Sequence, residues 1–96
     1  MELLIFVEKK NYKKVEELLK KDDIVSGASI KIRDASDFGK EGFYFLLEGT
    51  EEKINKAKEL SKNLAMEVVG KEKEGVVAKI KEEEEKAIEG FGFLGI

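Results

Sequence analysis

The chain contains no cysteine and no histidine. Without cysteine there are no disulfides, no thiolate metal sites and no cysteine nucleophile. Without histidine the commonest metal ligand and the commonest general base near neutral pH are missing too. Any metal site must be built from oxygen ligands, which favours calcium, magnesium or manganese over zinc. Glutamine is also absent, and Arg33 is the one basic residue among 18 that is not lysine. With 41% charged residues, this lysine and glutamate enrichment with few amides is the composition of a heat-adapted protein. Long apolar runs are lacking as well. The N-terminal run Leu3 to Val7 lies between Glu2 and Glu8, too short for a signal peptide or a membrane span. A soluble, cytoplasmic single domain over residues 1–96, with no membrane partner, is the expectation.

What is present is organised around residues 27 to 48. Ala28, Ile30 and Ile32 alternate with Ser29, Lys31 and Arg33, the period of a strand with one buried face. Phe43, Phe45 and Leu47 repeat the pattern, although Tyr44 and Leu46 make their second face less polar. Asp34 to Gly42 between them is turn chemistry. A β-hairpin with a loop of about eight residues follows, longer than usual.

The flanking segments supply helices and further strands. Leu3 to Val7 reads as a central strand buried on both faces. Asn11 is placed to cap a helix whose apolar face is Tyr12, Val15, Leu18 and Leu19. Asp22 and Asp23 mark its end. Gly49 to Glu52 reads as turn, N-cap and acidic first turn of a second helix. Its face of Ile54, Ala57, Leu60, Leu64, Ala65 and Val68 predicts helix as far as Gly70, with a strand over 65–70 as the alternative, since Met66 and Val68 also fit period two. Lys71 to Glu89 reads as a polar helix with a thin apolar stripe, interrupted near Gly75 and ended by Gly90. Phe91 to Ile96 is expected to dock, as an edge strand or on a partner. The order is β-α-β-β-α-α-β. It predicts an α+β fold with a mostly antiparallel sheet of about four strands and two to three helices on one face, a ferredoxin-like variant.

Three clusters of charge stand out. Asp34, Ser36, Asp37 and Glu41 fall in the hairpin loop, and clustered oxygens of this kind suit a hard cation such as calcium. The competing reading has Asp34 and Asp37 capping turns through local hydrogen bonds. Glu82 to Glu85 spread around a helix and cannot converge on one ion. Glu84, set in the gap of the apolar stripe, belongs at the margin of an interface or in a pair with a lysine across it. Residues 1–21 carry a net charge of about +2 and residues 67–89 about −3. That polarity suits self-association. Nucleic acid is not an expected partner, because the whole chain has net charge −3 and only Tyr12 accompanies the N-terminal lysines. Catalysis finds no motif around Ser26, Ser29, Ser36 or Ser61.

The stretch Ser29 to Ser36, followed by Gly42-Phe43-Tyr44 and the glutamate-rich segment 82–85, resembles a family of small uncharacterised proteins of methanogenic archaea. The resemblance implies archaeal origin, a compact heat-adapted cytoplasmic α+β domain, no known enzymatic activity, and calcium binding at an acidic surface.

The functional expectation is a non-catalytic binding module, holding a calcium ion at Asp34, Asp37 and Glu41. A homodimer or a small protein partner, engaged through the apolar tail and the polarised charge, is the alternative.

Overall fold

A computed structural model describes the backbone of residues 1–94 and the side chains of residues 1–85. Along the chain it shows β1 (Glu2–Val7), α1 (Tyr12–Lys21), β2 (Ser29–Asp34), β3 (Phe43–Glu48), α2 (Glu51–Ser61), β4 (Met66–Glu67) and α3 (Gly70–Leu94). The strands form one sheet in the order β2-β3-β1-β4, and every pairing is antiparallel. From β1 to β4 this is the split β-α-β arrangement, to which α3 is added.

The hairpin forms as its alternation predicts. β2 and β3 pair with Ile30 opposite Leu47 and Ile32 opposite Phe45. β1 lies between β3 and β4, and the run Leu3, Leu4, Ile5 is buried on both faces. Alternate residues of the central strands therefore feed two cores. Leu3, Ile5, Val7, Phe45 and Leu47 pack with Val15 and Leu19 of α1 and Ile54 and Ala57 of α2. Leu4, Tyr44 and Leu46 pack on the other side with Val76 and Ile80 of α3.

The α+β class and the four-stranded antiparallel sheet agree with the sequence, while the order and the layering are corrected. The order is β-α-β-β-α-β-α, with helices on both faces of the sheet. α2 stops at Ser61, and Met66 and Glu67 pair with Phe6 and Ile5. The exposed edge of β1 decides this. Its backbone groups need partners, and Val68 N–H donates to the Leu4 carbonyl at 2.8 Å, an interaction that helical periodicity cannot register. Gly70, with φ +68°, begins α3 and does not end α2. α3 runs through Gly75 and Gly90 as continuous helix. The tail is therefore helical to Leu94 and adds no strand, while its docking and residues 95–96 lie outside the described residues.

Local capping follows the sequence at one helix and departs from it at another. Thr50 Oγ1 accepts from Lys53 N–H at the start of α2. Asn11 precedes α1 but makes no cap bond. Its amide instead donates to the Leu64 carbonyl at 3.3 Å, tying the start of α1 to the chain beyond α2.

Candidate binding face beneath the third helix

The hairpin loop is where the sequence placed its site. Asp34, at the end of β2, accepts from Ser36 N–H at 2.8 Å and caps the 3-10 turn Ala35–Phe38. That hydrogen bond to a backbone N–H holds its carboxyl below the usual carboxylate range. Asp37 and Glu41 are exposed in the same loop. Among the described residues, no group of three or more acidic side chains is brought together as a set of metal ligands. The capping role predicted for Asp34 is what its geometry serves.

A denser constellation lies on the sheet face that α3 covers. Phe6 of β1 is directly opposite Tyr44 of β3, and Tyr44 is directly opposite Arg33 of β2. Cross-strand partners point to the same side of a sheet, so Arg33, Tyr44 and Phe6 form one row across three strands. Lys31, two residues before Arg33, shares that side. The 3-10 turn adds Phe38, whose ring lies 5.3 Å from Tyr44 edge to face, and Phe6 lies 5.6 Å from Tyr44 on its other flank. The Lys40 ammonium sits 5.4 Å from the Phe6 ring centre.

Each cation of this face meets a glutamate of α3. Lys40 and the Tyr44 hydroxyl both donate to Glu72 Oε2, the hydroxyl at 2.7 Å. Lys31 donates to Glu84 at 3.0 Å and to Glu48 of β3 at 3.3 Å. Arg33 Nε donates to Glu83 at 3.1 Å. In the opposite sense, Lys81 of α3 reaches Glu2 at 2.8 Å. Glu84 is thus paired across the interface with a lysine, as its place in the stripe suggested.

Electrostatics follows from these contacts. The Lys40 ammonium, with help from the Tyr44 hydroxyl, holds the Glu72 carboxyl below its ordinary range. Burial, reinforced by Glu72, pushes the Tyr44 hydroxyl up. Glu84 raises the Lys31 ammonium, with Glu48 adding to the effect. Beside the aromatic row a surface groove of about 390 Å³ is lined by Phe38, Lys40, Tyr44, Lys71, Glu72 and Val76, among others. A groove of about 410 Å³ at the far edge of the sheet runs between the end of α2 and β4, and no ring lines it.

Sequence reasoning missed this site because its members are spread from Phe6 to Glu84. One signal was available. Tyr44 and Leu46 put apolar side chains on the second face of β3, which pointed to a cover on that side.

The chain matches no family model, no curated protein and no solved structure.

Proposed function

We propose that this protein is a non-catalytic binding module whose ligand surface is the sheet face beneath α3, with α3 serving as a displaceable cover. The observation that carries the reading is the matching of Lys31, Arg33 and Lys40, each with a glutamate of one helix. Each pair is weak by itself at such a half-exposed position, so the three together make a hold that a competing anion can displace. The apolar hold is modest. Val76 and Ile80 are the fully buried side chains of the described part of α3, with Val77 half-buried. They contribute on the order of 3–6 kcal/mol before the entropy of ordering the segment is set against them. Gly75, inside the helix and with open space where a Cβ would stand, weakens it further. The non-catalytic part of the reading rests on the absence of histidine and cysteine.

Amide hydrogen exchange on the full chain tests the cover. Amides of residues 76–84 exchange well before those of β3, through an opening that leaves the sheet intact. Equal protection of α3 and β3 would mean that the helix leaves only on global unfolding, and the reading fails.

A calcium ion at Asp34, Asp37 and Glu41 is the second reading, favoured by the exposure of Asp37 and Glu41 and their lack of an ion-pair partner among the described residues. Adding calcium moves the amide shifts of residues 34–41 beyond the effect of sodium chloride if the ion sits there. Unchanged shifts remove it.

A further inference from the structure

We infer that the face beneath α3 binds single-stranded nucleic acid, and that Glu72, Glu83 and Glu84 occupy the positions its phosphates take. The inference rests on the reading of α3 as a cover and names what the cover excludes. Two kinds of group define a single-strand site: cations that follow a phosphate backbone and aromatic rings on which bases stack. Both occur here in one place. Arg33, Tyr44 and Phe6 form a row across β2, β3 and β1, with Phe38 and Lys40 beside it. Lys31 extends the cationic side along β2.

The carboxylates of α3 report how anions are accepted. Arg33 Nε and Lys31 Nζ hold carboxylate oxygens at 3.1 and 3.0 Å, and Lys40 with the Tyr44 hydroxyl converges on a single oxygen of Glu72. A phosphate oxygen accepts from the same donors with the same geometry. Glu72 and Glu84 are separated by twelve residues of one helix, roughly 18 Å, so the anion positions span a few nucleotides, with the rings gathered at the Glu72 end. A sheet is broad and open, and its rings can reach only bases freed from a duplex. An acidic peptide would use the cations but leave Phe6, Tyr44 and Phe38 without a stacking role.

The overall charge of −3 does not argue against this site, because a local field decides encounter. With α3 in place the cations are neutralised. With α3 displaced, the face presents Arg33 and Lys40 free of anions, while Lys31 keeps one partner, Glu48 at 3.3 Å, which stands opposite Glu2.

The test uses the full chain, a fluorescently labelled single-stranded 12-mer of mixed sequence, and anisotropy at two salt concentrations. The variant E72Q/E83Q/E84Q preserves side-chain shape and releases the latch. It binds at least ten-fold more tightly than the original chain, with affinity falling as salt rises. Adding K31A/R33A to that variant removes the gain. The control E51Q/E52Q/E59Q, which changes net charge equally at exposed positions of α2, gains nothing. Hydrogen exchange is read on every variant. If α3 loosens in E72Q/E83Q/E84Q and affinity does not rise, nucleic acid is overturned and the cover stands. If α3 does not loosen and affinity does not rise, both are overturned. A gain that survives K31A/R33A, or that the control shares, places binding elsewhere and overturns the inference. Polyglutamate competing as well as the oligonucleotide would do the same, reassigning the face to an acidic protein partner.

Discussion

Gly42 is the residue whose identity the fold most narrowly dictates. Its φ of +143° is closed to ordinary side chains, and an added Cβ would stand 2.6 Å from the Val7 carbonyl oxygen and 2.7 Å from the Phe6 ring. Gly42 therefore lets the hairpin loop close against β1 and seats Phe6 in the aromatic row. Gly42→Ala is expected to cost on the order of 2–3 kcal/mol in chemical denaturation, strain and collision combined. Gly39, at φ +76° with nothing within 4 Å of an added Cβ, separates the two effects. Gly39→Ala carries strain alone and costs about 1 kcal/mol. Equal losses for the two would show that the close contact with β1 is not what fixes Gly42. At this scale the sequence announced a glycine-bearing turn but not which glycine was indispensable, because Phe6 lies 36 residues away in the chain.

At the scale of the element, α3 is the part of the molecule whose attachment can be tuned. Ile80→Ala removes a side chain from the second core only. A loss of about 2–4 kcal/mol is expected at a buried isoleucine, read as faster exchange in residues 70–85 with α1 and α2 unaffected. Ile54→Ala, in the first core, instead lowers the protection of the whole sheet. Acid acts on the same helix. The carboxyls of Glu72 and Glu2 are held down by Lys40 and Lys81 across the α3 interface. When α3 is released they take up protons more readily, so the docked state is favoured above the ordinary carboxylate range and loses that support as pH falls through it. Exchange of α3 amides, followed against a reference amide in β3, should accelerate below that range. A flat ratio would show that these pairs do not hold the helix. High salt weakens the half-exposed pairs in the same direction.

For the molecule as a whole, the added helix converts a two-layer sheet into a three-layer arrangement. The first core, between the sheet and α1 with α2, holds more of the buried side chains of both central strands than the second does. The second depends on α3 and is edged by ion pairs. Stability is therefore unequal across the two faces, and local opening is drawn from the weaker one. Among the described residues no helix is long and apolar enough to cross a membrane.

The sequence by itself determined the local features. Alternation over Ala28–Ile32 and Phe43–Leu47 fixed the hairpin and the face each side chain takes, since a one-residue slip would turn every apolar side chain to the wrong face. The unbroken run Leu3–Val7 fixed a strand buried on both sides, and Thr50 with its acidic successors fixed the start of α2. Tertiary structure decided what depends on distant partners. The free edge of β1 drew Met66 and Glu67 out of a helical pattern, and the apolar second face of β3 called α3 across the sheet. The proposed site exists only because antiparallel pairing sets Phe6, Tyr44 and Arg33 side by side. Periodicity records which way a side chain points; only the folded chain determines what it meets there.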